Sequence, residues 1–102
     1  NEIRILSEKS LKLMSSNQSG DLYSKTEKGK GLGFGYAVDI TLDSENTKFR
    51  RGVSSFGTGG TAGTISWSDP INKMAVVIMV QQPTVDFANE IANIIFKSIK
   101  KG

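Results

Sequence analysis

Nine of the eleven glycines in this 102-residue chain fall between Gly29 and Gly63, so the middle of the chain reads as turns and short strands, with helices left to its two ends. The densest run is Phe56-Gly57-Thr58-Gly59-Gly60-Thr61-Ala62-Gly63-Thr64. Without a Cβ, such a strand lets a second backbone or a ligand approach its edge closely, where free N–H groups are on offer. The competing reading is a bulge or a tight crossing within a twisted sheet. Gly57, Gly59 and Ala62 have the spacing of a dinucleotide fingerprint, but that motif needs a helix to follow. An alternating segment and an Asp-Pro turn follow instead, and no Gly-Lys-Ser/Thr is present, so nucleotide loops are excluded.

The flanks supply the elements. Ser7 starts a short helix over about Glu8 to Ser16, with Leu11 and Met14 on one face. Phe34, Tyr36, Val38, Ile40 and Leu42 alternate with smaller or polar residues, which predicts one strand from 34 to 42. Asp43 to Asn46 reads as a polar turn and Lys48 to Phe56 as the returning strand, weakened or bulged at Gly52. A third strand covers Thr61 to Ser68, and Asp69-Pro70-Ile71-Asn72 turns the chain. Met74 to Val80 is apolar on both faces, which predicts a central, covered strand. Thr84 or Asp86 caps a last helix in which Phe87, Ile91, Ile94, Ile95 and Ile99 recur at helical spacing, with Lys97, Lys100 and Lys101 near its end. The expected fold is α+β: an antiparallel sheet of about four strands flanked by an N-terminal and a C-terminal helix.

Composition removes much chemistry. There is no cysteine and no histidine, hence no disulfide, thiolate nucleophile, ordinary zinc site or imidazole base. No cofactor and no metal are called for. The longest apolar run, Met74 to Val80, is far below the ~20 residues that span a bilayer. A net charge of +3 gathers in the C-terminal lysines, a solvated tail rather than a nucleic-acid surface. Arg50 and Arg51 fall on opposite faces of the expected strand over 48–56, Asp39 lies on the solvated face of the strand over 34–42, Asp69 stabilises the turn after the strand over 61–68, and Trp67 is core or sheet cover. Asn17-Gln18-Ser19 fits a glycosylation sequon, a pattern short enough to arise by chance. No targeting segment is visible after Asn1, and a single segment of one domain is expected.

Four motifs in order, Gly-Leu-Gly-Phe-Gly at 31–35, Phe-Gly-Thr-Gly-Gly-Thr-Ala-Gly-Thr at 56–64, Trp-Ser-Asp-Pro at 67–70 and Met-Ala-Val-Val-Ile-Met-Val at 74–80, resemble the C-terminal part of the serine β-lactamase-like family. That family includes class C β-lactamases, esterases, D-aminopeptidases and penicillin-binding proteins. The resemblance covers nearly the whole chain, and the short helix after Ile5-Leu6-Ser7 also fits. It implies that Thr58, Gly59 and Gly60 match a triplet, Lys-Thr-Gly, His-Gly-Gly or Trp-Gly-Gly, on an edge strand that walls the active site. Thr61 would then give its backbone N–H to an oxyanion hole.

Thr58 departs from the usual lysine, histidine or tryptophan and brings no positive charge, which argues against carboxylate-bearing β-lactams. The family's Ser-x-x-Lys and Tyr-x-Asn or Ser-x-Asn motifs precede the triplet. Ser98-Ile99-Lys100-Lys101 follows it, and Ser15-Ser16-Asn17 and Ser44-Glu45-Asn46 have no serine-lysine partner upstream. The resemblance therefore implies the C-terminal segment of a hydrolase of esters, amides or peptides, inactive alone. The missing N-terminal part, or another chain, would cover its sheet, and a periplasmic or secreted setting would follow. The alternative is a non-catalytic α+β module that binds a peptide or partner chain along a strand edge.

Overall fold

The computed structural model describes residues 3–60, 62–81 and 85–101. It is a mixed α+β structure with one five-stranded antiparallel sheet, its strands in sequence order, and two helices. Helix α1 (Glu8–Met14) is capped by the Ser7 hydroxyl, which accepts from the Ser10 N–H at 3.1 Å. It ends where Ser15 and Ser16 turn their hydroxyls back to the carbonyls of Leu11 and Lys12, an alternative to continued helix. No residue of α1 is buried.

The alternating stretch from 34 to 42 is a hairpin rather than one strand. β1 (Leu32–Phe34) pairs with β2 (Asp39–Thr41) in the register Leu32↔Thr41, Gly33↔Ile40, Phe34↔Asp39. The reversal between them is closed by the Gly35 N–H on the Val38 carbonyl at 2.8 Å, with Ala37 at φ 68°. Gly35 allows it, because a Cβ there would lie 2.1 Å from the Met14 carbonyl oxygen. Period-two alternation continues through this turn, so the pattern alone does not separate a long strand from a tight hairpin.

Residues 48–55 form no strand. Ser54 has φ 71°, the Ser55 N–H bonds the Gly52 carbonyl at 3.1 Å, and β3 begins only at Phe56 and runs to Gly59. β4 (Ile65–Asp69) and β5 (Met74–Ile78) complete the sheet, one strand more than expected. The Asp69 turn is as read: one carboxylate oxygen accepts the Asn72 N–H at 3.0 Å and the other its side-chain amide at 2.7 Å.

β5 is the outer strand, not a central one. Its inner face carries Met74, Val76 and Ile78. On the other face Val77 is 68% exposed, as Met79 just beyond the strand is 80%, and among the described residues nothing covers them. The opposite margin is closed. Asn17 Oδ1 accepts the outward N–H of Phe34 at 3.1 Å, the Gln18 N–H bonds the Phe34 carbonyl at 2.8 Å, and the Leu32 N–H bonds Gly29. The Asn17 amide nitrogen meanwhile donates to Gly20, so the sequon asparagine is engaged in a loop clamp.

Helix α2 (Val85–Lys101) has Asp86 in its first turn, whereas Thr84 lies outside the described residues. Its buried Ala92 and Phe96, with Ile95 and Ile99, surround one space with Trp67 and Met74 of the sheet. Trp67 is buried as expected and meets Phe49 edge-on, with ring centroids 5.5 Å apart.

The core also holds polar groups. Ser55 is fully buried, and its hydroxyl has no hydrogen-bond partner among the described residues. An orphaned buried hydroxyl costs free energy, so Ser55→Ala is expected to be neutral or to stabilise by up to about 1 kcal/mol in thermal or urea unfolding. A loss of more than that would show that the hydroxyl is bonded.

Candidate functional site

The glycine-rich run divides into two kinds of position. At Gly57 a Cβ would lie 2.1 Å from the Ser66 carbonyl oxygen and 2.6 Å from the Trp67 Cα, both backbone atoms of the paired strand. Gly57 is therefore glycine for packing inside the sheet. At Gly59 the nearest atom to a Cβ is the Thr64 carbonyl oxygen, at an ordinary 3.5 Å, and at Gly60 it is the Thr64 hydroxyl at 2.9 Å. Backbone crowding does not require glycine at either.

β3 is the third of five strands, so the triplet does not stand on a sheet margin as the resemblance implied. The pairing of β2 with β3, however, stops early. It includes Phe56 and Gly57 only, whereas β4 pairs with all four residues of β3. A local free edge results at Thr58 and Gly59. The Gly60 N–H bonds the Thr64 carbonyl at 2.8 Å, which sets the alternation: peptide groups of Thr58 and Gly60 turn toward β4, those of Gly57 and Gly59 toward β2. Gly57 meets Asp39 there, while Gly59 faces a place where β2 has ended. Thr61, the expected oxyanion donor, lies outside the described residues.

Beside this free edge is a cleft of about 200 Å³. Phe49 and Ile65 supply apolar wall, Ala88 and Asn89 of α2 border it, and Thr58 and Gly59 form the strand side. The remaining members are Asp39 and Arg51. Arg51 is 2% exposed; its Nη2 donates to Asp39 Oδ1 at 2.7 Å, its Nε to the Thr41 hydroxyl at 3.0 Å, and its guanidinium carbon lies 4.8 Å from the Phe49 ring centroid. Asp39 is thus the part-exposed half of an ion pair with the buried Arg51 and not a freely solvated strand residue.

Arg50 turns the other way. It bonds Glu45 and the Asn93 side chain and covers the Phe96 ring, which ties residues 44–50 to α2. The two arginines form no joint basic surface, as expected, but because they separate the loop's two attachments rather than the faces of a strand. Outside the cleft, the Asp43 carboxyl is held below its ordinary range by the Asn46 side-chain amide first and the Glu45 N–H second.

The other serine motifs are structural. Ser98 donates to the Ile94 carbonyl at 2.9 Å and lies nine residues beyond Asn89, about 14 Å along the helix axis. Ser44 is buried and donates to the Arg51 carbonyl at 2.6 Å. Phe49, Arg51, Asp39 and Asn89 were not legible as site residues, because only the chain reversals bring them beside β3. Scanned against protein-family models and searched against curated proteins, the chain has no match.

Proposed function

We propose that this chain is the C-terminal segment of a serine β-lactamase-like hydrolase that acts on esters or amides through an acyl-enzyme, and that it supplies the wall of the active site formed by Thr58, Gly59, Gly60 and Thr61. The observation that carries the reading is the free edge at Gly59, beside a cleft and without crowding that calls for glycine. A fixed, outward N–H in a small cleft is what acyl transfer needs where oxygen charge develops. The nucleophilic serine and its lysine belong to sequence upstream of Asn1.

The exposed apolar face of β5 agrees with a sheet that receives further cover. The edge-binding alternative is better served by β5, which offers five residues, than by the two free residues of β3.

The test is the longer gene product, assayed with p-nitrophenyl butyrate. Turnover is expected, with a trapped acyl-enzyme on a Ser-x-x-Lys serine. Gly59→Val should keep the melting temperature within about 4 °C, less than 1 kcal/mol, yet lower kcat/KM about a hundredfold by filling the approach to the edge. Unchanged turnover in that variant, or ester hydrolysis by the present chain that is lost on Ser98→Ala, defeats the reading.

A further inference from the structure

Positive charge lies within the cleft, yet it is already neutralised. Arg51 is the cation among the cleft residues, and it is bonded to Asp39 and Thr41 and stacked on Phe49. Its side chain is 1% exposed against 24% for Asp39, so the carboxylate is the more accessible half of the pair. An incoming anion would meet Asp39 before it met Arg51. The rest of the boundary is uncharged: Phe49, Ile65 and Ala88 are apolar, and Thr58 and Asn89 are neutral hydrogen-bonding groups. A carboxylate placed there would lose its hydration without gaining a counter-ion, whereas an apolar group would lose little.

We infer that the cleft takes the uncharged acyl part of a neutral ester or amide and discriminates against carboxylate-bearing substrates, with Asp39 as the specificity-determining residue because it occupies the Arg51 guanidinium. This rests on the hydrolase reading above for the chemistry, but not for the binding preference.

Two measurements separate the inference from that reading. In the first, methyl butyrate and monomethyl succinate are titrated into the present chain at neutral pH while the amide signals of Gly59 and Asn89 are followed by NMR. The neutral ester is expected to shift both and to bind roughly tenfold more tightly than the anion. Equal or tighter binding of the anion, or no shift with the neutral ester, overturns the inference. In the second, the longer gene product is given p-nitrophenyl butyrate and p-nitrophenyl hemisuccinate. A kcat/KM preference of roughly tenfold for butyrate supports the inference, as does recovery of the hemisuccinate rate in Asn89→Lys, which places a free cation on the α2 border. Hydrolysis that favours the hemisuccinate overturns the inference and leaves the hydrolase reading standing. Absence of hydrolysis alongside selective NMR shifts defeats the hydrolase reading and supports the binding preference.

Discussion

Gly57→Ala is expected to be strongly destabilising. The added carbon meets the Ser66 carbonyl oxygen at 2.1 Å and the Trp67 Cα at 2.6 Å, and neither can move away without separating β3 from β4. Side-chain atoms yield to overpacking by changing rotamer, but backbone atoms in a ladder do not. The expected loss is about 3 kcal/mol or more, a large share of what a domain of this size has in total. Thermal unfolding should shift down by roughly 4–8 °C for each kcal/mol lost. Gly59→Ala, two residues along the same strand, is expected to leave the transition almost unchanged, since its Cβ meets nothing closer than 3.5 Å. Equal losses at the two positions would mean that the register of β3 against β4 is wrong.

The second large effect concerns the ion pair beneath the cleft. Arg51→Met removes the guanidinium and leaves the Asp39 carboxylate and the Thr41 hydroxyl without the partner they share. A fully buried uncompensated charge costs about 3–5 kcal/mol; the Asp39 side chain keeps 24% exposure, so the expected loss is about 2 kcal/mol. The double variant Arg51→Met with Asp39→Leu should recover a good part of that loss, because a well-packed apolar pair is often no worse than a buried ionic one. The pair therefore serves position more than net stability: it holds residues 49–51 against the sheet and fixes Phe49 over the cleft. Urea unfolding of the two single variants and the double variant gives the coupling energy directly. Simple additivity of the single losses would show that the two side chains do not act on each other.

Much of the fold was legible, for reasons that differ from element to element. α2 was visible because one apolar stripe recurs over seventeen residues, and α1 because Ser7 is a strong N-cap. The Asp69 turn was visible because Asp, Pro and Asn each act through local bonds. The reading failed where non-local geometry decides. Residues 34–42 became a hairpin because Gly35 lies against Met14, and 48–55 lost their strand because Arg51 turns inward to Asp39, twelve residues earlier.

Met74 to Val80 reads as buried because both faces are apolar; the strand order puts β5 at the margin, and the exposure of Val77 and Met79 shows a face without cover among the described residues. At the candidate site, the glycine cluster falls on β3, the strand beside the cleft. It did not distinguish Gly57, which the sheet requires, from Gly59, which it does not. That difference depends on where β2 stops, and no local pattern records it.

The two margins of the sheet also set what happens when such chains meet at high concentration. The β1 side ends in bonds that Asn17 and Gln18 have already made, so an arriving strand finds its partners occupied. The β5 side remains receptive. Among the described residues, strand addition at the sheet's two margins is thus open at β5 and obstructed at β1, so two copies joined through β5 present obstructed margins to a third. That asymmetry favours completing the sheet once over propagating it, and it separates docking from fibre formation without a charged or proline gatekeeper inside β5 itself.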